Sequence, residues 1–234
     1  MRGVFNNKLL ELTENSTLQF DIKVLYVRDG FEKEANITYP IQVYEKHALV
    51  WDDRTKIAIF ITPKDPVIVD FSRAVLKEAR KKAISNNISI GAAVFEGMRA
   101  IGMVYQQDPN NPYQVVSEKT GTVDFVQYAR ETLKRKAGDC DDLVSLFLSV
   151  IESLGIKAAA IDYPGHILGM FDTGISKDDF EKLGLPRDSV VFYEDSVYLP
   201  VELTLLTENF YNAWQKGAEN YNENLGKGLK IISI

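Results

Sequence analysis

One cysteine and two histidines carry most of the nucleophilic and basic chemistry this chain can offer. Cys140 stands in the stretch RKAGDCDDLVSLFLSVIESLG, residues 135–155. Leu143, Leu146, Phe147, Val150, Ile151 and Leu154 recur there at helical spacing, which predicts a helix with a strong apolar face. Gly155 fits the position just past its end. Asp141 and Asp142 fall in the first turn, where the helix dipole favours negative charge. Cys140 is three residues before Leu143, so its side chain is expected to point from the helix start toward whatever the helix packs on. A helix N-terminus lowers a thiol pKa, which predicts a reactive thiolate. Reading Cys140 as a small buried hydrophobe explains neither Gly138 nor the flanking acids Asp139 and Asp141.

A thiol nucleophile needs a base, and His166 is the candidate. Lys157 to Tyr163 reads as a strand, Pro164-Gly165 as a turn, and HILGMFD from His166 as a second strand. A cysteine heading a helix and a histidine opening the next hairpin strand form a common route to a thiol–imidazole pair. The other histidine, His47, is read as structural. The orienting acid is expected at Glu202. The segment DSVYLPVELT (195–204) reads as a strand with Val197, Leu199, Val201 and Leu203 on one face. A carboxylate on such a strand is costly to bury without a partner, and His166 is the natural one. Asp172 and Asp195, at strand ends, are the alternatives. For the oxyanion, the backbone N–H of Cys140 offers one donor, and Gln127 and Tyr105 are candidate side-chain donors.

Other chemistries find little support. Cys140, His166, Asp139 and Asp141 are a mixed donor set with one thiolate and one imidazole, so no structural zinc and no other metal is assigned. No calcium-loop or nucleotide-binding glycine motif occurs, and no cofactor is expected. Asp52 and Asp53 sit in WDDR, read as a solvated turn.

The elements that must position these residues divide in two. Residues 16–62 read as β: Leu18, Phe20, Ile22, Val24 and Tyr26 alternate with polar residues, Asp29-Gly30 marks a hairpin, and Ile37, Tyr39, Ile41 and Val43 continue the period. Lys56 to Thr62 reads as a third strand. Helices begin after Pro63. Asp65-Pro66 is a start signal, with Ile68, Phe71, Val75 and Ala79 on one face and Arg80, Lys81 and Lys82 at the close. A second helix carries Val94, Met98 and Ile101. Residues 106–121 read as loop. Phe210, Trp214 and Tyr221 mark a last aromatic, helical stripe. The expected boundary therefore lies near residue 62, with a small β domain over 1–62 and the chemical core over 63–234.

The chain has 234 residues, 45% hydrophobic and 26% charged, enough for a sizeable core. A net charge of −6 and a pI near 5.1 speak against nucleic acid as a partner. A single cysteine excludes an intrachain disulfide and leaves the redox compartment open. Apolar runs are too short for a spanning helix, so no membrane insertion is expected. The abrupt start suggests an excised piece of a longer protein with further domains.

The order Cys, His, acid on helix, strand and strand resembles the transglutaminase-like superfamily of cysteine enzymes. The matching pieces are Gly138-Asp139-Cys140-Asp141-Asp142, Ser153-Leu154-Gly155-Ile156, Pro164-Gly165-His166 and Val201-Glu202-Leu203-Thr204, and they span about a third of the chain. Within that superfamily the chain looks most like uncharacterised bacterial domains with a GDCDDL motif, whose core usually sits in a larger, often envelope-associated protein. The resemblance implies an α+β fold with a transglutaminase/papain-like core, in which the helix carrying Cys packs on an antiparallel sheet behind a small β domain. It implies a soluble domain, periplasmic or envelope-associated in its parent. It maps the nucleophile to Cys140, the base to His166 and the acid to Glu202, with Gly138, Asp139, Asp141 and Asp142 supporting the nucleophile loop. Two positions depart from the family pattern: the acid is Glu where Asp is more usual, and Ile167-Leu168 replaces the aromatic residue usual after the histidine. The expected function is acyl transfer from amide bonds of protein or peptide substrates, as a peptidase or amidase if water accepts the acyl group and as a transglutaminase if an amine does. Hydrolysis is preferred, since so small a domain offers no obvious second cleft for an amine. The competing reading is a catalytically silent binding or scaffolding module of a larger envelope protein.

Overall fold

A computed structural model describes residues 7–107 and 123–234. Most of the loop expected over 106–121 lies outside the described residues. The chain forms two compact units, Met1–Ala48 and Leu49–Ile234. The division thus falls well before residue 62. Leu49, Trp51, Ile57, Phe60 and Ile61 are all buried in the core of the larger unit, which explains the shift.

The smaller unit is a two-stranded antiparallel hairpin, β1 (Ser16–Arg28) and β2 (Phe31–Val43). Asp29 and Gly30 both take positive φ, 58° and 78°, as a tight hairpin turn requires. Leu18, Phe20, Ile22 and Val24 pair with Ile41, Tyr39, Ile37 and Ala35 on one face. Thr17–Gln42 and Asp21–Thr38 hydrogen bonds mark the other.

The third expected strand is a 3-10 turn, Arg54–Phe60. Asp53 caps it through a hydrogen bond from Thr55 N. Ile57 and Phe60, three residues apart, are buried together while Ile59 faces out. A local cap thus overrides the alternation of Ile57, Ile59 and Ile61.

The larger unit is α+β. Helices α1 (Pro66–Lys81), α2 (Asn87–Ala100) and α3 (Ala129–Arg135) pack on α4 (Cys140–Ser153). Asp65 caps α1 with Pro66 at its first position, as the sequence predicts. Helix α4 is buried on all sides through Ile151, not on one face, because it lies between those helices and a sheet. Ser149, buried within it, is fully engaged: its Oγ donates to Ser145 O and accepts from Thr62 N.

Short strand β3 (Ala48–Val50) pairs with β5 (Val123–Phe125), and β4 (Val104–Tyr105) runs parallel to β6 (Ala137–Gly138). The main sheet has five antiparallel strands in the order β11-β7-β8-β10-β9. These are β7 (Ala158–Tyr163), β8 (His166–Ser176), β9 (Val191–Tyr193), β10 (Ser196–Val201) and β11 (Lys230–Ser233). Helix α5 (Phe210–Asn224) lies along β10, where Gly217 lets the backbones close: a Cβ there would sit 2.8 Å from Pro200. No helix among the described residues is long and apolar enough to cross a membrane.

Candidate active site

The ends of three elements of the larger unit come together: the start of α4, the start of β8 and the end of β10. Cys140 is the first residue of α4 and only 4% exposed. Gly138 lets the chain enter the helix tightly, since a Cβ there would meet Asp142 Cβ at 2.5 Å. Burial pushes the Cys140 thiol well above its usual pKa, and the charges of Asp141, Asp139 and Glu202 push it further. A hydrogen bond from the Asp141 backbone N–H opposes them and loses. The helix N-terminus therefore does not deliver the low thiol pKa that sequence alone predicts: desolvation and carboxylates outweigh it.

His166 opens β8 directly across from Tyr163, and the two rings meet edge to face at 5.6 Å between centroids. Its Nε2 lies 2.7 Å from Glu202 Oε2. Nδ1 is thereby left as the nitrogen able to serve the thiol. No hydrogen bond joins Cys140 and His166 in this resting arrangement, although the Glu202 carboxylate that holds His166 is close enough to act on the Cys140 thiol. Such contacts commonly tighten only when substrate binds.

Glu202 is 3% exposed and sits just past β10, capping a 3-10 turn at Leu203–Leu205. It is not a strand residue as expected. Its two oxygens are fully engaged: Oε1 accepts from Thr204 N at 3.1 Å and Thr204 Oγ1 at 2.6 Å, and Oε2 accepts from His166 and from Asn220 Nδ2 at 2.9 Å. Burial alone would raise its pKa. The His166 hydrogen bond and charge, with the Thr204 donors, outweigh burial and hold the carboxyl below its ordinary value. Asp172 is six residues along β8 from His166, about 20 Å at strand rise, and accepts from Gly174 N instead. Asp195 lies in the turn before β10, at the end opposite Glu202. The structure thus brings Glu202, and neither alternative, to the histidine.

Of the two oxyanion candidates, Tyr105 is beside the segment that leads into Cys140. It pairs with Gly138 in the β4–β6 ladder, and Gln106 N donates to Gly138 O at 2.8 Å. Burial, then the charges of Cys140, Asp139, Glu202 and Asp141, raise its phenol pKa, so the hydroxyl stays a donor. Gln127 is buried. Its backbone N donates to Asp142 Oδ1 at 2.6 Å, and its side-chain NH₂ donates to Asp142 Oδ2 and to Ala137 O. It fixes the start of α4 and has no donor left for an oxyanion. Burial and the charge of Asp139 raise Asp142 to about 7 despite these bonds. Asp141 is fully buried and also held well above the usual range, by burial and then by Asp139. His47 bonds to Glu45 at 2.8 Å.

Tyr163 and Asn220 are the site residues that sequence reasoning missed. Asn220 follows Ala213 and Gly217 on the face of α5 turned to β10, and that small-small-Asn spacing was the available signal.

No protein-family model matches the chain, and no curated protein does. Among solved structures, the chain is similar to the crystal structure of a "putative protease" from Parabacteroides distasonis, with 13% identity and a TM-score of 0.35. The match covers 69% of this chain and 36% of that one, so this chain spans about a third of that protein's length.

Proposed function

We propose that the larger unit is a cysteine acyl-transfer enzyme of the transglutaminase-like kind, acting on amide bonds of protein or peptide substrates. The observation that carries this reading is the contact between His166 and the buried Glu202 at 2.7 Å, set at the edge where the only thiol of the chain heads a helix. Because the resting thiol is held protonated, His166 acts as a general base rather than as half of a standing ion pair. Nδ1 takes the thiol proton as sulfur attacks the carbonyl carbon. The tetrahedral oxyanion is met by the Cys140 backbone N–H, one of the orphan donors of the first helical turn, and by the Tyr105 hydroxyl. The C–N bond breaks, His166 returns the proton to the leaving amine, and a thioester remains on Cys140. Water, deprotonated by His166, then releases a carboxylic acid and restores the thiol. An amine in place of water would give transamidation through the same residues. Hydrolysis remains the preferred outcome.

A second reading, a silent binding module, is favoured by one observation: the thiol is nearly inaccessible and protonated at rest. A chromogenic acyl ester separates the two. The enzyme reading expects a stoichiometric burst of leaving group and an acyl mass on Cys140. A chain that folds but gives neither burst nor adduct is the silent module.

A further inference from the structure

We infer that β1 pairs along its free edge with β1 of a second copy of this chain, joining two hairpins into one four-stranded sheet. Among the described residues, β1 and β2 form a sheet only with each other, so each has one edge without a neighbouring strand. A lone two-stranded hairpin is at best marginally stable in water, whereas a sheet of three or more strands can hold. The apolar face of this hairpin is open as well: Phe20, Ile37 and Tyr39 are 45%, 52% and 63% exposed.

The two edges are not equivalent. The two-residue turn at Asp29-Gly30 makes Arg28 and Phe31 a hydrogen-bonded pair, and bonded and non-bonded pairs alternate from there. Every second β1 residue, Asp21 and Lys23 among them, therefore turns its N–H and C=O outward. On β2 the outward row includes Pro40, opposite Gln19, which has no N–H to give. That gap spoils the β2 edge as a template. The β1 edge contains no proline and keeps every donor.

The strand that fits this edge is β1 itself. Its 13 residues are centred on Ile22. An antiparallel pairing about a two-fold axis at Ile22 overlaps the whole strand, beginning with Ser16 against the partner's Arg28. It sets Asp21 against the partner's Lys23 twice, and on the apolar face it sets Phe20 against the partner's Val24. Asp21 and Lys23 are both exposed, and their contacts with Thr38 and Glu34 in the same hairpin keep both side chains on the face where the cross-pairs form. A slide of two residues is the smallest that keeps outward groups facing each other. It brings Asp21 against the partner's Asp21, or Lys23 against the partner's Lys23, so like charges oppose every neighbouring register.

The inference does not depend on the enzymatic reading, since association is measured without substrate. Sedimentation of the full chain should show a concentration-dependent dimer. Asp21→Lys and Lys23→Asp, each alone, should weaken it roughly tenfold, because the two-fold axis turns two attractive pairs into two repulsive ones. The two variants mixed should pair with each other at least as well as the wild type does, since their charges are then complementary. A crosslink reads the register directly. In the Cys140→Ala background, Ile22→Cys places two thiols across the axis at the ~4.5 Å Cα separation of a non-hydrogen-bonded pair, within disulfide reach. It should oxidise to a covalent dimer. Val24→Cys sets the thiols ~14 Å apart along the strand and should not. A wild-type chain that stays monomeric up to its solubility limit overturns the pairing and leaves the edge to a strand of another protein. A dimer indifferent to both charge variants, a mixture no stronger than either variant alone, or equal crosslinking at residues 22 and 24 overturns it too.

Discussion

Asn220 donates to the same oxygen of Glu202 that receives His166, at 2.9 Å and 2.7 Å respectively. The acid that orients the histidine is thus itself held from α5, an element that follows it in the chain. The attachment is doubled in the backbone, where Glu202 N donates to Ala213 O at 3.0 Å on the same helix. A carboxylate this buried keeps its charge only while its lone pairs are occupied.

Asn220→Ala should therefore act through Glu202. Losing one donor to the carboxylate raises its pKa, because the charged form loses a hydrogen bond worth about 1 kcal/mol, or ~0.7 pH unit. The Glu202 carboxyl, followed by carbon-13 NMR, should titrate at higher pH by about that amount. A merely structural role for Asn220 would lower Tm and leave that titration in place. Asn220→Asp, which sets a second carboxylate against Oε2, should move it further.

Glu202→Gln should cost roughly 10 to 10³ in kcat. Loss of the orienting acid costs about 10⁴ in serine triads, and a thiol, being the easier group to ionise, should depend on it less. Asp172→Asn should leave kcat unchanged, since its carboxylate serves Gly174 far along β8. Stability supplies a second reading of the same variant. The folded pKa of Glu202 is depressed, so its charge stabilises the fold at pH values above its unfolded pKa of about 4.3 and ceases to do so as pH falls through the folded value. The Tm gap between wild type and Glu202→Gln should be widest above about pH 5 and should close below it. A gap that stays constant with pH would mean that Glu202 is not held ionised by these contacts.

The elements most readable in the sequence were those whose pattern and tertiary role agree. Helix α4 announces itself by spacing, and the Pro164-Gly165 turn places His166 at a strand start. Glu202 was legible because a lone carboxylate after apolar alternation demands a partner, even though it caps a turn and not a strand. What failed did so where distant contacts decide. Gln127 looks like an available donor until Asp142, fifteen residues later, is seen to occupy it. The Cys140 thiol pKa is set by desolvation and by Glu202, neither visible from a helix N-terminus. Strand β11 is four residues long and is stabilised by its pairing with β7, not by its own pattern.

Cys140→Ala should fold, because it removes one sulfur at a helix start that the Gln127–Asp142 hydrogen bonds anchor. It should also abolish thioester formation, read as loss of the ester burst and of the acyl mass. Unchanged turnover in this variant would rule out the thiol as nucleophile.

The domain boundary gives the last prediction. A fragment of residues 49–234 should be soluble and unfold cooperatively, because the larger unit keeps its whole core. A fragment of residues 63–234, the cut that the sequence suggests, should not match it. It lacks Leu49, Trp51, Ile57, Phe60 and Ile61, five buried apolar side chains. It also leaves Asp124 without the Trp51 indole N–H that donates to it at 2.8 Å and Asp162 without Arg54, and both carboxylates are buried. Each large apolar side chain stripped from a core typically costs about 2–5 kcal/mol, and a buried carboxylate that loses its cation adds ~3–5 kcal/mol. These losses together exceed the 5–15 kcal/mol by which a domain is ordinarily stable. The shorter fragment should be aggregated or molten, seen as loss of near-UV circular dichroism and of a cooperative thermal transition. Equal Tm values for the two fragments would show that residues 49–62 are an ornament on the core and not part of it.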